Sequence, residues 1–172
     1  MAQARKTKKI PMQKTIEQFR HRDPPINEHS LTQFIHSFLE KHGLKYEKEG
    51  KWFLVPFYFE GLTIAIVITA QVTSYSPFIT IRTHRIFSHQ LCRDLIGEIF
   101  CKWLFSLNNV IHFKITFSEP GYIEFITELD VCTWECLEQR LLSKLEAFLE
   151  TIRDFHPEII KKHAELNDLE IN

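Results

Sequence analysis

The chain has 172 residues, of which 44% are hydrophobic and 25% are charged, so it is long enough to bury the core of one domain. Its formal net charge of −1 excludes a bulk electrostatic attraction to nucleic acid. The longest apolar stretch, Leu62 to Ala70, is too short to span a bilayer, and no apolar leader follows the basic start. We therefore expect a cytoplasmic protein without a membrane span.

The first 22 residues form a basic arm ahead of an acidic body. They hold seven Lys or Arg residues and one Glu, a charge of +6, which leaves −7 for the remainder of the chain. A segment with this much charge and so few large apolar groups cannot build a core. We interpret residues 1–25 as a disordered, solvated arm. The alternatives are an arm that binds phosphate groups, an arm that folds back on the acidic body, and an organelle transit peptide.

One short motif lies in this arm. Gln13, Ile16 and Phe19 match the Q-x-x-I-x-x-F core of sliding-clamp-binding peptides. A helical turn would place Ile16 and Phe19 in a clamp pocket, with Gln13 hydrogen-bonding beside it. The second aromatic residue usual in such peptides is replaced by Arg20. The alternative is an amphipathic turn that docks on its own domain.

A helix and three strands are predicted after the proline pair that ends the arm. Apolar residues at i, i+3, i+4, i+7 and i+8 predict the helix, which Asn27 or Ser30 caps and Gly43 ends. Pro56 removes a donor from the first strand segment, which we therefore expect at a sheet edge or a bulge. The three segments, rich in β-branched and aromatic residues, are KYEKEGKWFLVPFYF with a glycine turn, LTIAIVITAQV and PFITIRTH.

The middle helix is predicted from about Ser88, as its cap, to Leu107. Its nine apolar positions occupy a broad arc rather than one stripe, so we expect it to be covered on more than one side. If the sheet takes Leu91, Leu95 and Ile99, a flank of large apolar residues remains. We predict that this flank binds a second copy of the chain or a client segment; cover by another helix of the same chain is the alternative. The flank consists of Ile96, Phe100, Trp103 and Leu107.

The segment LNNVIHFKITFSEPGYIEFITELD predicts a β-hairpin with one dry and one wet face, because apolar and polar residues alternate on both sides of a Ser-Glu-Pro-Gly turn. On the wet face, Lys114 and Glu124 could pair across the strands if the register allows. The acidic residues on and after the hairpin, Glu119, Glu124, Glu128 and Asp130, are expected to be solubilising. We expect the first and last helices to cover the dry face.

The last helix is predicted from about Thr133 to Phe155, and Pro157 is expected to interrupt it. Residues 159–172 are then a tail or a short final helix. The domain proper spans residues 26–158, a single α+β domain in the order α-β-β-β-α-β-β-α, with an antiparallel sheet and helices packed on it.

This order, with Leu107-Asn108 closing the middle helix just before a two-strand hairpin, resembles the YbjN-like family and the broader type III secretion chaperone-like fold. The stretch Trp103 to Asn108, the two hairpin strands and the long last helix carry the resemblance. It implies a small bacterial helper protein without chemistry of its own. Chaperones of this fold are usually homodimers that hold an unfolded client segment along apolar grooves, and YbjN-like proteins are described as regulators.

The sequence offers no catalytic, metal-binding or cofactor-binding motif. The five glycines are isolated, so no phosphate-cradling loop is predicted. The His and Cys residues form loose pairs that nothing brings together into a zinc site. We interpret the four cysteines as free, buried thiols of a reducing compartment, and we expect no metal, no cofactor and no enzyme activity. The cysteines are Cys92, Cys101, Cys132 and Cys136.

These observations predict a non-enzymatic, protein-binding helper that is chaperone-like or regulatory. The alternative is a nucleic-acid-associated protein that uses the basic arm, and the third candidate is an unrecognised enzyme. Salt dependence separates the first two, because binding through the arm should weaken steeply as the salt concentration rises. The sequence does not name the client.

Overall fold

The computed structural model describes residues 23–59, 62–84, 87–88, 95–109, 113–118 and 122–170. In this part of the chain, three α-helices accompany an antiparallel sheet of seven strands, which confirms the predicted α+β class. The helices are α1 Glu28–Lys41, α2 Leu95–Ser106 and α3 Leu137–Glu170, and a 3-10 turn, Leu107–Asn109, follows α2. The strands are β1 Glu47–Glu49, β2 Trp52–Phe59, β3 Leu62–Val72, β4 Pro77–Thr83, β5 Phe87–Ser88, β6 Lys114–Ser118 and β7 Tyr122–Asp130.

The strands run in the order β1-β2-β3-β4-β7, with every neighbouring pair antiparallel. The strands β5 and β6 both pair with the first residues of β7, so they lie on its two opposite edges. Strand β5 therefore lies on the same edge of β7 as β4, and β6 lies on the opposite edge. The predicted edge character around Pro56 is confirmed: Pro56 pairs with Ala65 of β3, whereas β1 reaches only as far as Leu54 on the other side.

The first helix forms where its sequence predicts it. The Asn27 side chain accepts a hydrogen bond from the Ser30 backbone N–H, and the Ser30 hydroxyl accepts one from the Asn27 N–H, so the two residues form a reciprocal cap. Gly43, at a φ of +64°, ends the helix in a conformation that residues with a side chain rarely adopt. The apolar stripe packs mainly on β3. Its buried residues are Leu31, Ile35, Phe38 and Leu39.

The core lies between the helices and one face of the sheet. The dry face of the β6–β7 hairpin is covered by α3, because the Phe113 ring lies 5.0 Å from the Phe125 ring and 5.5 Å from the Phe148 ring. Cover of the hairpin by the last helix is thus confirmed, whereas α1 lies mainly over β3. The fully buried sheet residues include Phe53, Val55, Ile66, Ile68, Ile79, Ile81 and Ile123.

The middle helix does not begin at Ser88, which belongs to β5 and pairs with Tyr122. The prediction of Ser88 as a helix cap is therefore wrong. Serine before an apolar run is a local signal, and pairing with β7 is a long-range contact that overrides it. The predicted positions Leu91 and Cys92 lie outside the described residues.

The last helix begins at Leu137 rather than near Thr133, and Pro157 does not interrupt it. Residues 159–170 belong to the same helix, so the expectation of a separate final helix is wrong. Proline inside a helix removes one hydrogen bond, but Ile159 and Leu166 beyond it are 0% and 8% exposed. Burial of these two side chains offsets that cost and keeps the helix continuous.

Candidate partner-binding site

The structure places the predicted flank of α2 largely inside the single chain. Phe100 is 0% exposed and belongs to the core, so it does not form a partner-binding surface as predicted. Trp103 and Leu107 are half-buried and pack against the same core. The side chain of Ile96 lies outside the described residues.

The cover of α2 comes from α3 and β6, which both contact it. The condition that the sheet takes Ile99 is not met, since Ile99 is 45% exposed. The breadth of an apolar arc shows that a helix is covered on several sides, but not which elements cover it. Intra-chain packing, the stated alternative, accounts for the burial of Phe100.

A second apolar surface lies on the face of the sheet that points away from the helices, which we call the open face. Residues alternate along a strand, and Phe53 and Val55 of β2 point into the core. The intervening residues of β2 therefore lie on the open face, where Tyr58 is 76% and Trp52 is 45% exposed. Cross-strand partners on β3 continue this apolar surface. The apolar residues of the open face are Trp52, Leu54, Pro56 and Tyr58 of β2 with Ala65 and Val67 of β3, of which Val67 is only 3% exposed.

A charged pair lies at the centre of the open face. The Arg82 guanidinium donates to a Glu124 carboxylate oxygen at 3.1 Å, and its carbon lies 4.9 Å from the centre of the Trp52 ring. Glu124 is only 4% exposed although it occupies the side of β7 that was predicted to be wet. The aromatic ring and the carboxylate together hold Arg82 flat against the sheet.

Lys114 and Glu124 are not opposite one another, so the register does not allow the pair that was considered. The hairpin register pairs Lys114 with Ile126 and Thr116 with Glu124. Glu124 finds its cation on β4, which lies on the other side of β7. The sequence signal for this contact was the single arginine in an otherwise apolar and threonine-rich strand.

Beside Trp52, the open face holds a depression of about 390 Å³. Leu54 and Val67 line it, together with the edge-strand carboxylates of Glu47 and Glu49. Pairing of Glu47 with Leu54 and of Glu49 with Trp52 places both carboxylates on this side of the sheet. Lys48 and His84 line it as well, so the depression is an apolar hollow with a charged rim of both signs.

A groove of about 720 Å³ lies where the start of the described chain meets α1 and α3. The Trp134 indole N–H donates to the Pro24 carbonyl at 2.6 Å, and its ring lies 5.9 Å from that of Phe34. Nearby, Lys41 and His42 at the end of α1 contact Glu138 at 2.8 and 3.1 Å.

The contacts of Glu138 also affect its acidity. The hydrogen bond from Lys41 holds the pKa of the Glu138 carboxyl below its usual value, and His42 acts in the same direction. These contacts tie α1 to α3.

The interpretation of the cysteines as free and buried is wrong for three of the four. Cys101 is 8% exposed and disulfide-bonded, whereas Cys132 and Cys136 are free and exposed. Cys92 lies outside the described residues. Among the residues that the structure describes, no group of three or more His, Cys, Asp or Glu side chains could hold a metal ion.

Two further expectations concern the membrane and the arm. None of the helices in the described ranges combines the length and the apolar character that crossing a membrane requires. Gln13, Ile16 and Phe19 lie outside the described residues, as does all of the chain before Asp23.

No family model and no curated protein matches this chain. Among solved structures, an uncharacterized protein from Methanothermobacter thermautotrophicus aligns with a TM-score of 0.50 and 16% identity, over 77% of this chain and 98% of that one. The ExsC-ExsE complex aligns with a TM-score of 0.46 and 11% identity, over 74% of this chain and 92% of that one. The chain is similar in fold to the Methanothermobacter protein. The resemblance to the YbjN-like family stays a prediction.

Proposed function

We propose that the protein is a non-enzymatic helper that binds a partner protein on the open face of its sheet. The observation that carries the proposal is the apolar character of that face along the outer strand β2. An antiparallel sheet with one solvated face normally presents polar side chains to water. Here Trp52, Pro56 and Tyr58 occupy the outward positions of β2, and aromatic residues are enriched at protein interfaces.

The charged residues of the open face fit a supporting role in this proposal. Arg82 and Glu124 satisfy one another and hold Trp52 in place, so the proposal assigns them no chemistry. A fixed indole ring is a rigid anchor that loses little conformational entropy when a partner binds.

The proposal extends to the finer features that the sequence suggested, a chaperone-like or regulatory helper that works as a homodimer. Ile99 is an exposed apolar residue of α2, beside the half-buried Trp103, and is where a second copy would pack. Light scattering should report a dimer for the wild-type protein and a folded monomer for Ile99→Glu. A wild-type protein that is monomeric at high micromolar concentration would exclude the homodimer.

The test of the open face uses two tyrosines in the same protein. Tyr58 is 76% exposed on the open face, and Tyr75 is 96% exposed in the turn between β3 and β4. Affinity capture from the native cell, quantified by mass spectrometry, should lose its partner with Tyr58→Glu and keep it with Tyr75→Glu. Equal capture by both variants would refute binding on the open face.

A further inference from the structure

Strand β7 is longer than its neighbour β6, and this leaves part of one edge uncovered. The pairing of β6 with β7 begins at Lys114 and Ile126, whereas β7 continues to Asp130 and pairs with β4 throughout that extension. Among the described residues, no strand covers the other edge of β7 beyond Ile126. We call the backbone of Glu128 and Asp130 on that side the open β7 edge.

The direction of the backbone groups follows from the neighbouring hydrogen bonds. The Val131 N–H donates to the Pro77 carbonyl at 3.0 Å, just before β4, and alternate residues of a strand point their backbone groups to opposite edges. The N–H and C=O of Glu128 and the N–H of Asp130 therefore point away from β4. The Asp130 carbonyl accepts a hydrogen bond from Arg140 at 2.8 Å, which marks the end of the open β7 edge.

Space and charge accompany these backbone groups. A depression of about 420 Å³ adjoins the edge, with the buried Phe113 ring as its apolar wall and Lys144 of α3 on its rim. Lys114, Glu128 and Asp130 also line it, from the face of the sheet that points away from α3. Arg140 and Lys144, one helical turn apart, also line a second depression of about 510 Å³ beside Leu129. Neither cation forms an ion pair with an acidic side chain among the described residues.

The edge of β6 differs from the open β7 edge because the chain itself blocks it. The Asn108 side chain accepts from the Ile115 N–H at 2.6 Å and donates to the Ile115 carbonyl at 3.3 Å. The backbone of Ile115 points away from β7, so the amide takes the place of an added strand. Among the described residues, the contrast singles out the extension of β7 as the uncovered edge.

We propose that the open β7 edge binds an extended segment of the partner protein as an added strand, with acidic side chains facing α3. The inference rests on the proposed function and names how the partner is held. Main-chain hydrogen bonds to Glu128 and Asp130 supply part of the affinity, and Arg140 and Lys144 select the acidic side chains. A second copy fits less well, because two-fold pairing of this edge would bring Lys144 close to its own counterpart.

The test measures fluorescence anisotropy of the full-length protein with a labelled heptapeptide in which Glu and Val alternate. The counterpart with Lys in place of Glu should bind at least about tenfold more weakly, because it meets the α3 cations with like charge. Two N-methylated forms of the Glu-Val peptide, one blocked at every Glu amide and one at every Val amide, probe the added strand. Only the form whose blocked amides face β7 should lose binding.

Variants of the protein provide the matching controls. Lys144→Glu should weaken binding of the Glu-Val peptide. Lys45 is an exposed lysine outside the site, and Lys45→Glu should leave that binding unchanged. Glu128→Pro should also weaken binding, because it removes the N–H that faces the added strand.

Each outcome decides between the proposals. The proposal of an added strand would be overturned if the peptide does not bind, or if both N-methylated forms bind equally well. If Tyr58→Glu still abolishes partner capture in that case, the proposed function survives without it. If Tyr58→Glu leaves partner capture unchanged and the peptide binds as expected, partner binding on the open face is refuted instead. A wild-type dimer that Glu128→Pro converts to a monomer would assign the edge to a second copy.

Discussion

At the scale of single residues, Glu124 is the most consequential charge in the structure. It is 4% exposed, and its described ion-pair partner is Arg82, which is itself partly covered by Trp52. A buried carboxylate that keeps its partner costs little, whereas one that loses it is left unsolvated and unpaired. The pair therefore makes the centre of the open face sensitive to substitution.

We expect Arg82→Met to destabilise the protein by about 2–4 kcal/mol, because it strands the Glu124 carboxylate. Urea unfolding followed by circular dichroism measures this change. Lys102→Met is the matched control, since Lys102 forms an ion pair with Glu98 on the exposed surface of α2. That variant should unfold at the wild-type urea concentration. Equal midpoints for the two variants would contradict the importance of the buried pair.

His156 gives the stability a pH dependence. Burial lowers the pKa of the His156 imidazole from its ordinary value of 6.5, so below pH 6.5 the unfolded state binds more protons than the folded state. The stabilising contribution is complete above that pH and is lost as the pH falls through the lowered pKa of the folded protein. His156→Gln should show a smaller decrease in thermal midpoint than the wild type between pH 8 and pH 5. Parallel profiles would exclude a role for this group.

At the scale of elements, α3 is the part of the fold that depends most on tertiary contacts. Its sequence contains Pro157, a helix breaker by local rules, and the helix nonetheless continues to Glu170. Beyond the proline, Ile159 is 0% exposed and Ile160 is 49% exposed. One side of the helix is thus held by the core beyond the point where local preference would end it.

We expect Ile159→Ala to cost about 2–4 kcal/mol, the usual range for deleting a buried aliphatic side chain. Ile160→Ala, the adjacent residue with the same chemistry, should change the unfolding free energy by less than about 0.5 kcal/mol. Denaturant unfolding of the two variants is the measurement. A similar small effect of both would show that the end of α3 contributes nothing to the stability of the core.

At the scale of the whole molecule, the core is built from residues between Leu31 and Leu166. The contact of Trp134 with the Pro24 carbonyl ties the start of the described chain to the turn before α3. The predicted boundary of the domain, near residue 26, therefore falls just inside a stabilising interaction.

Deletion of residues 1–22 should leave the thermal midpoint unchanged, because the Trp134–Pro24 hydrogen bond and the cap at Asn27 both remain. Deletion of residues 1–25 should destabilise the domain by about 1 kcal/mol, the usual net contribution of one hydrogen bond. Differential scanning calorimetry of the two truncated proteins compares them directly. A large loss on removing residues 1–22 alone would show that the arm belongs to the core.

The sequence by itself determined those features that depend on near neighbours along the chain. The stripe and cap of α1, the alternation in β6 and β7, and the edge position of Pro56 are set by periodicity and backbone chemistry within a few residues. The α+β class follows from the order of these elements.

Only the tertiary structure decided which elements meet. It put Phe100 in the core rather than on a flank, carried α3 through Pro157, and gave Glu124 a partner on β4 instead of β6. In the described part of the chain it also left the edge of β7 beyond Ile126 without a paired strand, which no local pattern encodes. The physical reason is the same throughout: strand register and helix cover are contacts between residues far apart in sequence, and their energies exceed the local preferences they override.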